Sequence, residues 1–190
     1  MIDKKKLEKA TRLFLEGIGE NPDRPELKET PRRVAEMAGE LYSGLGRNPA
    51  ELLKVVFSEE YDELVFVRDI PFYSTCEHHL LPFLGKAHIA YIPDSHRITG
   101  LSKLARVVET LSRRPQVQER LTTQVADTIM KTLRPRGVMV VIEAEHLCMT
   151  MRGVQKPGCQ TVTSVMRGIF LEDARTRNEA LNLLHRDRVG

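Results

Sequence analysis

Val138-Met139-Val140-Val141-Ile142-Glu143-Ala144-Glu145-His146-Leu147-Cys148-Met149 is rich in valine and other apolar residues and is predicted to be a buried strand. Alternate side chains of a strand face the same way, so His146 and Cys148 are expected to point together at one site near its end. A partner for them stands upstream in Cys76-Glu77-His78-His79, where a thiol, a carboxylate and two imidazoles fall within four residues. Cys76 and His79 have the C-x-x-H spacing of a zinc-binding turn. Cys76, His79 and Cys148 together make a soft to borderline donor set that suits Zn²⁺. Three protein ligands with one open position is the pattern of catalytic zinc, whereas a structural site has four. His78 and His146 lie beside these ligands as candidate acid–base groups. The same residues are compatible with a Cys76–Cys148 disulfide, with a core histidine at 146, and with a four-ligand site completed by His78 or His146.

The chain has 190 residues, of which 41% are hydrophobic and 29% charged, enough for one domain with a substantial core. No apolar run approaches the ~20 residues of a membrane span, and residues 1–6 lack the apolar stretch of a signal peptide. A cytoplasmic protein with no membrane partner is expected. Three cysteines in a chain of this length favour metal or catalysis over disulfides. A net charge of +3 without tryptophan, and with one short basic run at Lys4-Lys5-Lys6, predicts no nucleic-acid partner.

Around the opening stretch the periodicity divides the chain. Leu7, Ala10, Phe14 and Ile18 form one stripe, predicting a helix over 4–18 with Asp3 as its cap. Thr30-Pro31 reads as the cap and first turn of a second helix. Asn48-Pro49-Ala50-Glu51 resembles a third start. After residue 60 the pattern changes. Strands are predicted at 64–68, 85–92, 138–149 and 161–170. Helices open at Gly100 and at Pro115, the latter with Val117, Leu121, Val125, Ile129 and Leu133 at four-residue steps. A last helix runs over 173–186. Strand pairs flanking a helical pair predict an antiparallel sheet with helices on one face, an α+β domain.

Ser102, Lys103 and Arg106 open the helix after Gly100, with the two cations on one face. That is a phosphate site or a capped helix with a solvated basic face. Glu119 sits in the first turn of the next helix beside Gln118. It either complements the helix dipole or accepts the paired N1–H and 2-amino donors of a guanine. Arg152, four residues past Cys148, is a surface charge or a second anion clamp. No P-loop motif is present.

Ser74-Thr75-Cys76-Glu77-His78-His79, Gly100-Leu101-Ser102-Lys103, Arg114-Pro115-Gln116-Val117-Gln118-Glu119-Arg120 and His146-Leu147-Cys148-Met149 resemble the signatures of the type I GTP cyclohydrolase family. The resemblance runs from about Thr30 to the C-terminus. It implies a T-fold (tunnelling fold), a four-stranded antiparallel sheet with two helices on one face, over residues 61–190. A helical extension over 1–60 precedes it. It implies a homodecamer of two stacked pentameric rings with active sites where subunits meet. The reaction implied is conversion of GTP and water to 7,8-dihydroneopterin triphosphate and formate, the first step towards tetrahydrofolate or tetrahydrobiopterin. By motif match, Cys76, His79 and Cys148 would hold zinc, and zinc-bound water would attack C8 of guanine. His146 would move protons at N7 and His78 would assist ribose opening. Glu119, helped by Gln118, would hold the guanine edge, and Ser102, Lys103, Arg106 and Arg152 the triphosphate. Cys159 belongs to no motif. Another T-fold enzyme, such as the nitrile reductase of queuosine synthesis, would need one nucleophilic cysteine, NADPH and no zinc. A zinc-stapled oligomeric scaffold would leave His78 and His146 structural.

Overall fold

The computed structural model describes residues 2–53, 61–94 and 97–185. Its sheet has the strand order β3-β1-β2-β4-β5, with β1 at Val65–Cys76, β2 at Pro82–Ile92, β3 at Pro115–Gln116, β4 at Gly137–His146 and β5 at Gln160–Gly168. The long strands pair antiparallel: β1 with β2, β2 with β4, and β4 with β5. β3 runs parallel to the end of β1, setting Thr75 against Pro115 and Cys76 against Gln116. The expected four-stranded antiparallel sheet is therefore a five-stranded mixed one. Pro115, expected to open a helix, is the first residue of an edge strand, where its missing N–H breaks no ladder.

The two-residue period of β4 builds two cores. Val138, Val140, Ile142 and Ala144 pack with Leu104, Val107, Val108 and Leu111 of α3 (Leu101–Ser112) and with Leu121, Val125, Ile129 and Leu133 of α4 (Gln118–Leu133). Met139 and Val141, on the opposite face, pack with Ala90 and Ile92 of β2, Phe170 of α6 (Ile169–Glu172), and Ala180 and Leu184 of α7 (Ala174–His185). α3 and α4 thus share one face, as expected. The last helix covers part of the other, which the sequence pattern did not predict.

Element ends differ from expectation for local reasons. β1 continues through Pro71 and the polar Ser74 and Thr75 to Cys76, because the hairpin with β2 pairs it to the end. β5 stops at Gly168, whose φ is +60 and where a Cβ would stand 2.2 Å from the Arg136 carbonyl oxygen. Only glycine fits there, and the chain turns into α6. β4 stops at His146, and Leu147–Thr150 is a helical turn, α5.

Upstream, α1 (Lys4–Gly17) and α2 (Thr30–Leu41) pack on each other. Asp3 caps α1 by accepting from the Lys6 N–H at 3.1 Å. At α2 the N-cap position belongs to Glu29, with Thr30 already helical. Pro49–Leu52 is a single 3₁₀ turn. The expected boundary at residue 60 and the expected helix end at 186 lie outside the described residues.

Candidate metal centre

Cys76 ends β1, and the chain reverses at once into β2. The Cys76 N–H donates to the Leu81 carbonyl at 2.8 Å, and the Leu80 N–H returns a bond to the Cys76 carbonyl at 2.8 Å. Leu80 takes a φ of 54 to close this turn. The turn is held from below as well. The Glu77 N–H donates to the Gln116 carbonyl at 3.0 Å, and the Arg120 guanidinium of α4 pairs with the Glu77 carboxylate. Arg120 Nε donates to Gln116 Oε1 at 2.9 Å, and Gln116 Nε2 donates to the Leu111 carbonyl at 3.0 Å and to Gln124 Oε1 at 2.9 Å. The C-x-x-H turn is therefore strapped to the helix layer.

Register brings in the second half. Phe83, just past the turn, pairs with His146 at the end of β4, and α5 then carries Cys148 back towards Cys76. Cys148 is presented by a helical turn and not by strand alternation, which corrects the expected basis for its position. The ligand atoms of Cys76, His79 and Cys148 all lie within 4.8 Å of one another. Tetrahedral zinc, with bonds of about 2.0–2.3 Å, wants its ligands about 3.5–3.8 Å apart, so small side-chain movements would close the set. All the cysteines are free, and Cys76 and Cys148 form no disulfide. Burial, then the neighbouring Cys76 sulfur, push the Cys148 thiol up, while Arg152 acts in the opposite sense. Two sulfurs competing in this way are relieved by a divalent cation. The donor set fits zinc.

Around the trio stand further expected residues. His78 Nδ1 is 3.9 Å from Cys76 Sγ, and His78 is exposed, its ring edge-on to His79 with centroids 6.2 Å apart. His146 is half-buried. Burial lowers its pKa, and the Glu119 charge opposes that shift. Neither histidine belongs to the trio. Glu119 is exposed in the first turn of α4, and Arg152 is exposed beyond α5.

Gln118 behaves differently from its neighbour. It is 1% exposed. Its Nε2 donates to the Ile142 carbonyl at 3.0 Å, the Thr161 carbonyl at 2.9 Å and Thr163 Oγ1 at 3.1 Å. Its Oε1 is 2.8 Å from His146 Nε2.

Ser102, Lys103 and Arg106 are not brought to the trio. The C-terminal end of α3 lies beside it, since Ser74 Oγ donates to the Ser112 carbonyl at 2.7 Å. Ser102 is ten residues earlier, about 15 Å back along the axis at ~1.5 Å per residue. Arg106 lines a shallow cleft with Pro71, Phe72 and Tyr73 on the flank of β1. Cys159 is exposed in the loop before β5.

Sequence reasoning missed Phe83, Gln116 and Arg120. Gln116 lies in β3 and Arg120 in α4, and no periodicity signals their contact with each other or with Glu77.

The family described as GTP cyclohydrolase I matches this chain over residues 7–185. The protein named GTP cyclohydrolase 1 of Carboxydothermus hydrogenoformans is 62% identical over 184 residues, spanning 97% of this chain and 96% of its own length. Its namesake in Pelotomaculum thermopropionicum is 63% identical, spanning 97% and 98%, and that of Clostridioides difficile is 61% identical, spanning 96% and 97%. Among solved structures, an apo archaeosine synthase QueF-like protein covers 58% of this chain and 97% of its own, at 14% identity and a TM-score of 0.48.

Proposed function

This chain belongs to the GTP cyclohydrolase I family, and on that premise we propose that it converts GTP and water to 7,8-dihydroneopterin triphosphate and formate at a zinc centre held by Cys76, His79 and Cys148. The observation that carries the reading is the convergence of those three ligand atoms within 4.8 Å, with the two unused histidines beside them. When bound, zinc supplies Lewis acidity and makes water nucleophilic near neutral pH. The protein's own groups do the rest. Glu119, an acceptor only, takes the N1–H and 2-amino donors of guanine and sets C8 against the metal side. His146, kept neutral by burial, is suited to take and return a proton at N7 as the imidazole ring opens. His78, exposed beside Cys76, serves the ribose when its ring opens.

The triphosphate falls to Arg152 and to Ser102, Lys103 and Arg106. The last three lie at the far end of α3, so we assign them to a second copy of the chain, whose helix N-terminus meets the first copy's metal centre. β5 is an edge strand of the sheet and offers one seam for such an assembly. We read the chain as a T-fold domain from residue 61 with a helical extension before it, assembled through joined sheets into a decamer of two pentameric rings. Among the described residues, no helix is long and apolar enough to cross a membrane, and we place the enzyme in the cytoplasm.

The test is incubation with GTP, following formate and, after oxidation, pterin fluorescence, with and without a chelator. Turnover that stops with chelation and returns with zinc is expected. Full turnover by metal-free protein would sink the assignment.

A further inference from the structure

The amide of Gln118 stands between groups of fixed polarity. The Ile142 and Thr161 carbonyls can only accept, so the amide group facing them must be the NH₂. The third contact agrees. The Thr122 hydroxyl donates to the Gln118 carbonyl at 2.7 Å. Its single proton is then committed, and Thr163 Oγ1, 2.6 Å away, must donate to Thr122. Thr163 Oγ1 keeps its lone pair for Gln118 Nε2 at 3.1 Å. With its NH₂ so fixed, Gln118 turns Oε1, a pure acceptor, towards His146 Nε2 at 2.8 Å. A lone pair on that nitrogen would face another lone pair, so Nε2 must carry a proton.

We propose that Gln118 is a positioning residue that locks His146 as the Nε2–H tautomer, leaving Nδ1 as the nitrogen that exchanges protons with the substrate. The proposal rests on the cyclohydrolase reading for what Nδ1 does, and on hydrogen-bond polarity alone for which nitrogen is free. It moves Gln118 out of the substrate contacts expected from the motif. Buried at 1% exposure and with its amide engaged on both ends, Gln118 has no side-chain donor to turn towards a guanine. The lock has two further parts. His146 is stacked on Phe83, which fixes the plane of its ring. Ile142 and Thr161 belong to β4 and β5, so the amide that sets the tautomer is anchored to the strand that carries His146. A histidine with one nitrogen satisfied by a fixed acceptor offers the other in a defined direction, the arrangement by which partners beyond a reacting group commonly tune it.

Two measurements test it. In ¹⁵N spectra of histidine-labelled protein at pH about 8.5, where imidazoles are neutral, the wild-type signal missing from His146→Asn should show protonated Nε2 and bare Nδ1. The opposite tautomer overturns the proposal. In Gln118→Met, which keeps the length and removes the acceptor, kcat should fall about tenfold to a hundredfold. KM for GTP should stay within about twofold, the pattern of a group that acts only in the chemical steps. A raised KM with unchanged kcat makes Gln118 a substrate contact and equally overturns it. If Gln118→Met does not fold, the wild-type spectrum decides alone. Absence of turnover in the wild-type chain sinks the cyclohydrolase reading, while the spectrum still settles the tautomer.

Discussion

The ring of His146 lies flat against the ring of Phe83, with centroids 4.6 Å apart and planes 1° from parallel. The two are partners in the β2–β4 register, so the sheet itself sets the stack. Phe83 is fully buried and meets Phe72 edge-on at 5.8 Å. It transmits the packing of the core to the imidazole.

Phe83→Leu should therefore act on chemistry more than on metal. The smaller side chain leaves His146 without its flat wall, and the loss of packing costs about 1–3 kcal/mol of stability. Zinc content by metal analysis should be unchanged, because Phe83 is paired across the sheet with Ser74 and His146 and with no member of the trio. The rate of pterin formation at saturating GTP should fall. Loss of zinc in the folded variant would show that the stack supports the ligands instead.

Arg120→Ala removes the strap on the C-x-x-H turn. The guanidinium is 42% exposed in its ion pair with Glu77, so the pair itself contributes little to global stability. Its value is local: it ties Glu77, between Cys76 and His79, to Gln116 and α4. The variant should melt close to wild type yet bind zinc about tenfold more weakly in competition with a chelator. Unchanged zinc affinity would mean the turn is held by its backbone bonds alone.

The three residues of the candidate metal centre were legible because metal chemistry leaves short-range marks: C-x-x-H needs one turn, and a cysteine at the end of an apolar strand is a second donor. The geometry behind the second mark was not. Cys148 reaches the site from α5 because β4 stops at His146, and the end of a strand depends on its neighbours, not its own residues. Gln118 shows the same limit. Its place beside Glu119 in a first helical turn carries no sign of burial, yet the β4 and β5 carbonyls bury it. Those carbonyls come from residues 24 and 43 positions away, a separation no local pattern encodes. The α3 and α4 stripes, in contrast, follow the helical period, and Leu104, Val107, Val108 and Leu111 with Leu121, Val125, Ile129 and Leu133 lie in the core as their spacing predicts. β3 escaped notice because two residues of pairing have no period at all.

A mixing experiment tests the distance between Lys103 and His146. Lys103→Ala and His146→Ala are each expected to be nearly inactive. If one copy supplies the anion residues and another the metal centre, co-assembled variants contain some sites with both wild-type halves, about one quarter at equal mixing. Co-expression should restore activity towards that fraction. No recovery from a confirmed mixed oligomer would place both residues in one chain's site.

Asp173 governs the anchoring of α7, and through it one face of the sheet. Its carboxylate accepts from the Arg175 N–H at 3.1 Å, the Thr176 N–H at 3.2 Å and the Thr176 hydroxyl at 2.7 Å. The Thr176 hydroxyl, then the backbone N–H groups, hold its pKa below the ordinary value of 3.8. These bonds favour the charged form, so the folded state binds the proton less readily than the unfolded chain. The stabilisation is complete above the unfolded value and is lost as pH falls through the lower folded one. Asp173→Ala should thus lower the melting temperature at neutral pH, and the gap from wild type should close as pH falls below the ordinary value of 3.8 and through the lower folded one. The comparison belongs on chelator-treated protein, because acid would also protonate the thiols of a metal-loaded centre and release its ion. A gap that stays constant down to acid pH would show that Asp173 supports α7 by packing and not by its charge.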